Sequence, residues 1–311
     1  MRFCYAHRRF TLYPQSVNSW ALGVENYTDE FLSRVKDIGF DALEVGAEVF
    51  DRLGEGNDKQ VKEFGKRVEG FGLKVGALRS GGTVIEARHG PANQQKMRRA
   101  IDYAAWTGAE VVNGALSSPA RYPGHPPGSI PASQHGWPRS QDSSRDSMIW
   151  VYDELASVYQ GFCDQAADSG VDISIEVHQN SPVDNSWAAK LIHQKIDRRN
   201  FGVNPDIGNV VWNYDVPEEE YDQFIKACAP ISVYWHCKNL HRIYHPENQR
   251  TVFLRVPLQD GEVDYRYAIS AMADANYSGY MAIEGAWSGD QWHSDQISLD
   301  YAKKIWAEVE D

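Results

Sequence analysis

The chain has 311 residues, 42% of them apolar and 12% aromatic, and a formal net charge of −12. That length and apolar content suffice for one barrel-sized core, so a single domain over residues 1–311 is expected. The acidic balance leaves no basic stripe for a phosphate backbone, no apolar run approaches the roughly 20 residues of a membrane span, and the opening MRFCYAHRRF lacks the apolar centre of a signal peptide; nucleic-acid and membrane roles are set aside for small-molecule chemistry in a soluble, cytoplasmic protein.

In chain order, short apolar runs alternate with longer helical patterns, the signature of repeated βα units around a parallel sheet. Strands are expected at Phe3–Ala6, Ala42–Val45, Lys74–Leu78, Glu110–Asn113, Ile173–Val177, Phe201–Asn204, Ser232–His236 and Tyr280–Glu284. Helices are expected at Asp29–Ile38, Asp58–Phe71, Ala92–Thr107, Met148–Asp168, Ser186–Ile196, Glu218–Cys228, Tyr265–Ala275 and Leu299–Glu308. Glycine-bearing stops such as DIGFDALEV and DSGVDISIEV separate several helices from the strands that follow. Eight such units make a single (β/α)8 TIM barrel. A doubly wound open sheet loses its best support because no GxGxxG follows the first strand. Cys4, Cys163, Cys228 and Cys237 are scattered without CxxC spacing and read as reduced thiols.

One stretch interrupts the alternation. After the fourth strand, residues 117–147 are rich in Pro, Ser and Gly and far exceed an ordinary βα loop. Loops that follow barrel strands form the catalytic face, so this lid-like insertion, with Arg121, His125, His135, Trp137, Arg139 and Arg145, is expected to overhang the site.

The later strands end in groups that bind metals: Glu176 in IEVH, Asp206 in NPD, His236 in WHCKN and Glu284 in AIEG. Side chains alternate along a strand, so Glu176 shares a face with His178, and His236 with Lys238. Three carboxylates gathered in a barrel mouth repel one another, and a divalent cation at their centre offsets that cost. Three carboxylates and an imidazole favour Mn2+, with Mg2+, Co2+ or Zn2+ as alternatives. One metal held by Glu176, Asp206, His236 and Glu284 is therefore expected.

With IEVH (175–178), NPDIGN (204–209), HCKN with Arg242 (236–242) and AIEG (282–285), the chain resembles the xylose-isomerase-like superfamily of barrels, the sugar phosphate isomerase/epimerase group that includes tagatose/psicose 3-epimerases, inosose dehydratase and endonuclease IV. In the ketose epimerases, glutamates matching Glu176 and Glu284 bind the metal and move a proton on opposite faces of a sugar carbon. The resemblance gives Asp206 and His236 the remaining ligand positions and makes Arg242 a residue that holds sugar oxygens. Two positions depart from that pattern: a histidine is replaced by Asn209 and an acid by Pro182.

The expected activity is a metal-dependent carbohydrate isomerase or epimerase that abstracts a proton beside a carbonyl through a metal-stabilised enediolate. The alternative is a lyase, an inosose-type dehydratase or a 3-keto-glycoside/C-glycoside deglycosidase, using the same site for elimination. Glu176, Glu284, His178 and Lys238 are the candidate proton carriers. His7, Asn209, Arg242, Arg145, Trp137 and Trp287 are candidate substrate contacts, and Glu44, Arg79 and Asn113, near the same strand ends, are further candidates to shape the pocket and touch substrate. Trp187, Trp212 and Trp292 add to the tryptophans in or near loops after strands, which suits a sugar or glycoside with an apolar face. The expected partners are a small-molecule sugar or glycoside and either a second copy of the chain or a small partner subunit. Endonuclease chemistry is disfavoured by Asn209 and by the acidic surface.

Overall fold

The structure is a computed structural model, and the residues it describes are 1–6, 11–12, 15–16, 23–54, 56–86, 89–116, 143–179, 181–212, 219–245, 247, 250–286 and 289–310. After β1 (Arg2–Ala6), two short strands, β2 (Thr11–Leu12) and β3 (Gln15–Ser16), pair antiparallel. The alternation then runs α1 (Asp29–Ile38), β4 (Ala42–Gly46), α2 (Glu48–Asp51), α3 (Asp58–Gly70), β5 (Lys74–Gly81), α4 (Gly90–Thr107), β6 (Val111–Ala115), α5 (Ile149–Ala166) and β7 (Asp172–Glu176). It continues with α6 (Ser186–Ile196), β8 (Phe201–Asn204), α7 (Ile207–Val211), α8 (Tyr221–Cys228), β9 (Trp235–Cys237), a hairpin of β10 (Asn239–His245) and β11 (Arg250–Val256), α9 (Tyr265–Asp274), β12 (Tyr280–Ile283) and α10 (Gln291–Glu310).

Local signals account for many of these boundaries. Thr28 Oγ1 accepts from Phe31 N to cap α1, and Gly39 ends that helix at φ 108°, a left-handed conformation that costs glycine little. Between these stops α1 buries Phe31, Leu32 and Val35, the apolar positions of one helical face. Asn185 caps α6 through Ala188 N, and Asp264 caps α9 through Arg266 N and Tyr267 N.

Eight strands form one sheet in the order β8-β7-β6-β5-β4-β1-β12-β9, and every pairing in it is parallel. The ends meet through a parallel bridge between Val203 and Ser232, where Val233 N donates to Val203 O at 3.2 Å, so the sheet is a nearly closed barrel with helices between its strands. Gly202 permits this closure: a Cβ there would stand 2.5 Å from Val233 Cγ1 and 2.7 Å from Ile231 O.

The main core fills the space between sheet and helices, while a small inner cluster of Cys4, Ala6, Ala42, Ala77, Val111, Tyr234, Tyr280 and Ala282 occupies the lumen. Strand side chains alternate, so the residue two places beyond each inward one also faces inward. Glu44 follows Ala42, Arg79 follows Ala77, Asn113 follows Val111, His236 follows Tyr234 and Glu284 follows Ala282. The lumen thus changes from small apolar side chains and two tyrosines to a polar, mostly charged layer at the C-terminal ends of the strands.

Besides the short elements β2, β3, α2 and α7, which were not expected, the largest differences from the sequence expectation lie at the seventh strand, the last helix and a hairpin. The seventh barrel strand is confined to Trp235–Cys237, because Ala229–Ile231 form a 3-10 turn and Ser232 makes only an isolated bridge. The last helix begins at Gln291 instead of Leu299; its first turns bury the polar Gln291, Asp295 and Ser298, which show no apolar periodicity. The hairpin at 239–256 was not expected. The four cysteines are free and buried, and among the described residues no helix is long and apolar enough to cross a membrane. The 117–147 insertion lies outside the described residues up to 142; its end forms the 3-10 turn Ser144–Asp146, where Arg145 is exposed.

Candidate metal centre and its surroundings

Four strand ends supply the site. Glu176 closes β7, Asp206 follows β8, His236 lies within β9 and Glu284 directly follows β12. Glu176, Asp206 and His236 are buried, and each places one ligand atom within 4.8 Å of the others. His236 Nδ1 stands 3.4 Å from Glu176 Oε2 and 3.8 Å from Glu284 Oε1. Two ligand-type atoms, Asp206 Oδ1 and His236 Nδ1, are enclosed without a hydrogen-bond partner among the described residues. Buried polar atoms are seldom left in that condition, and a cation at the centre of the three groups would engage both. The donor set of two carboxylates and an imidazole therefore fits a divalent ion.

Glu284 stands beside this group, with its Oε1 turned toward His236 and its Oε2 toward two cations. Its Oε2 accepts from Lys238 Nζ at 3.1 Å and from Arg255 Nη1 at 3.2 Å. Lys238 also donates to Asp206 Oδ2, so one buried ammonium bridges two carboxylates. Gly208, in α7, makes room for that lysine, since a Cβ there would lie 2.3 Å from Lys238 Cγ. Trp212 forms a wall behind the two cations: the Arg255 guanidinium carbon is 4.9 Å and Lys238 Nζ 5.7 Å from its ring centre, and Phe253 packs against it.

Burial opposes charge on all these groups, yet their neighbours decide most of the balance. For Glu176, burial is outweighed by His236, and its pKa lies below the ordinary carboxylate range. Glu284 is held well below that range because Lys238 and Arg255 overcome its burial. Asp206 goes the other way: burial, with Glu284 and Glu176 nearby, pushes it up to about 7 against the pull of Lys238. Burial works against the charge on Lys238, but Asp206 and Glu284 raise its pKa above the ordinary lysine value. Glu44 and Glu176 similarly overcome burial at His236 and raise it well above the ordinary histidine value. Without an ion, protons and the lysine balance the carboxylates.

The other expected residues have varied surroundings. Asn209 is buried in α7, and its Nδ2 donates to Glu176 Oε1 at 2.8 Å and to Val177 O at 3.1 Å, so it orients a candidate ligand. His178 follows β7; its Nδ1 lies 2.9 Å from Gln179 O, and because a carbonyl only accepts, Nδ1 donates and Nε2 is the basic atom. Burial lowers the pKa of His178. Arg242 lies on β10, where its backbone N and its Nε both meet the Glu262 carboxylate, at 2.6 and 3.3 Å. Asn113 is fully buried with both amide atoms unpaired. Trp187 is exposed, while Trp292 stacks on Tyr5. His7, Trp137 and Trp287 lie outside the described residues.

Sequence reasoning missed Arg255 altogether and read Glu44 and Arg79 as substrate contacts, not as the partners that stand behind His236. Arg255 pairs across the hairpin with Leu240 and shares its face with Phe253 and Arg242. Its signal lies in HRIYHPENQRTVFLRV, two runs joined by a Pro-Glu-Asn turn, which is a hairpin pattern.

Comparison with solved structures gives the same fold over nearly the whole length. A xylose isomerase-like TIM barrel protein from Mycobacterium smegmatis, crystallised with magnesium, matches at TM-score 0.75 and 18% identity, with 99% of this chain and 97% of that one covered. A 3-keto-D-glucoside 4-epimerase from E. coli matches at TM-score 0.68 and 13% identity over 98% and 99% of the two chains. A mannonate dehydratase from Streptococcus suis matches at TM-score 0.66 and 13% identity over 99% and 95%. No curated protein matches the sequence. The family model described as xylose isomerase-like TIM barrel matches residues 32–304, and the chain belongs to that family.

Proposed function

We propose that the protein is a divalent-metal-dependent carbohydrate isomerase or epimerase. The observation that carries this reading is the convergence of Glu176, Asp206 and His236, with uncommitted atoms on the last two, beside the charged Glu284–Lys238–Arg255 group. The E. coli neighbour's 3-keto-D-glucoside epimerase activity supports a sugar substrate for this barrel. Glu176, Asp206 and His236 would hold the ion, with Mn2+ first among the candidates and Mg2+, Co2+ and Zn2+ behind it. When bound, the ion supplies Lewis-acid polarisation of adjacent carbonyl and hydroxyl oxygens, which acidifies the neighbouring C–H.

The chain's own residues then move the proton. One of Glu176 and Glu284 takes it from carbon, and the C–H electron pair moves into the carbon–carbon bond of an enediolate. The other carboxyl group, also ionised at rest, takes a proton from solvent and delivers it to the opposite face for epimerisation, or to the neighbouring carbon for isomerisation. Lys238 has one N–H beyond the two it gives to Asp206 and Glu284, and that donor can stabilise the negative oxygen that develops. His178, with Nε2 as its basic atom, is the third proton carrier. The same residues serve an elimination if a leaving group departs from the enediolate, the reading that a dehydratase neighbour favours.

The test is incubation of Mn2+-loaded protein with ketoses and 3-keto-glycosides in D2O, followed by NMR. Deuterium at the carbon beside the carbonyl, with intact sugar, is the expected result. Loss of water or of an aglycone replaces the isomerase reading with the lyase one. The absence of exchange and breakdown across both substrate sets overturns the proposal.

A further inference from the structure

Glu44 lies behind His236, on the opposite side of the imidazole from Glu176. Its Oε2 is 2.6 Å from His236 Nε2, both side chains are fully enclosed, and its Oε1 accepts from Arg79 Nη1 at 3.1 Å. An ionised carboxylate accepts and does not donate, so Nε2 carries the hydrogen. In a neutral imidazole the lone pair is then on Nδ1, the buried atom that has no hydrogen bond and lies 3.4 Å from Glu176 Oε2. Glu44 occupies its place beside a register shift, between Leu43 and Glu44, in the pairing of β4 with β5. Irregularities of this kind re-aim side chains next to functional sites.

We propose that Glu44, braced by Arg79, is a positioning residue that orients His236 so that a divalent cation is bound through Nδ1. Glu44 touches neither the substrate nor the ion; it acts through the ring. An imidazole without this anchor could rotate about its Cβ–Cγ bond or present the other nitrogen, and both changes weaken a metal site. Outer carboxylate partners of this kind contribute roughly 10–100-fold in metal affinity. The inference rests on the metal reading of the site, and its test uses binding and spectroscopy instead of turnover.

The protein, labelled with 15N at histidine and loaded with 113Cd2+, is examined by NMR. One-bond cadmium coupling to His236 Nδ1, with a proton on Nε2, is the expected pattern. In parallel, Mn2+ titration calorimetry compares wild type with Glu44→Leu and Glu44→Gln. The leucine variant is expected to bind Mn2+ about 10–100-fold more weakly; the glutamine variant, whose amide oxygen still accepts from Nε2, should recover part of that loss. Cadmium coupling to Nε2 overturns the inference, even if neither variant folds. Mn2+ affinity in a folded Glu44→Leu variant within about twofold of wild type also overturns it, since a positioning partner contributes more. If the wild type binds neither Mn2+ nor Cd2+, the metal reading fails as well.

Discussion

Replacing Lys238 with methionine keeps the buried stem beside Gly208 and removes the ammonium between Asp206 and Glu284. Breaking a buried ion pair costs about 3–5 kcal/mol when the remaining charge is left uncompensated. Here the two carboxylates are affected unequally. Glu284 keeps Arg255 at 3.2 Å, whereas Asp206 is fully enclosed and its Oδ1 already lacks a hydrogen bond. The loss therefore falls mainly on Asp206, which without the ammonium takes up a proton because its pKa already lies at about 7, so the lower end of the range, about 3 kcal/mol, is expected in protein stripped of metal with chelator. For a 311-residue chain the unfolding entropy is about 0.65 kcal/mol/K, so this corresponds to a fall of about 5 °C in Tm. Differential scanning calorimetry of chelated wild type and variant measures it. Added Mn2+ should raise the Tm of the variant more than that of the wild type, since the ion supplies the missing positive charge. A chelated variant that melts within about 1 °C of wild type would show that Lys238 does not compensate Asp206, and the electrostatic account of the site would be wrong.

Gly202→Ala should lower stability by about 1–3 kcal/mol through overpacking at the barrel seam; adding Val233→Ala should restore only part of it, because the Ile231 carbonyl stays 2.7 Å from the new Cβ, and urea unfolding reports both. Asp206→Asn is expected to lower Mn2+ affinity at least tenfold, while Glu284→Gln should leave affinity within about tenfold but slow deuterium exchange by about 100-fold or more; equal loss of affinity in the two would place Glu284 inside the ligand set. At the other end of the barrel, burial and Glu110 raise the pKa of Asp172. A raised folded-state pKa means that the ionised form disfavours folding, so Asp172→Asn should raise Tm at pH 7–8 and lose that advantage as pH falls below the ordinary aspartate value of about 3.9. A stabilisation independent of pH would refute the assignment.

The alternation of short buried strands and amphipathic helices is written locally, so the eight βα units of the barrel can be read from residue patterns alone. The expected limits of α1 and α6 coincide with those observed, because the residues that cap them, Thr28 and Gly39 for α1 and Asn185 and Asp197 for α6, directly flank each helix. The placement of Glu176, Asp206, His236 and Glu284 at or just beyond the C-terminal ends of strands was legible for a similar reason, since strand ends and the two-residue period of side chains are local features. What the tertiary structure decided is which atoms face one another. Glu44 and His236 are 192 positions apart, and no local pattern pairs them; barrel closure and the register shift at Leu43/Glu44 bring them together. Arg255, not Arg242, reaches Glu284, because a hairpin turns the chain back over the mouth and only its register determines which arginine meets the carboxylate. Residue type and periodicity are properties of a short segment, whereas the partner of a buried charge depends on the registers of several strands together, and those are set only when the sheet closes.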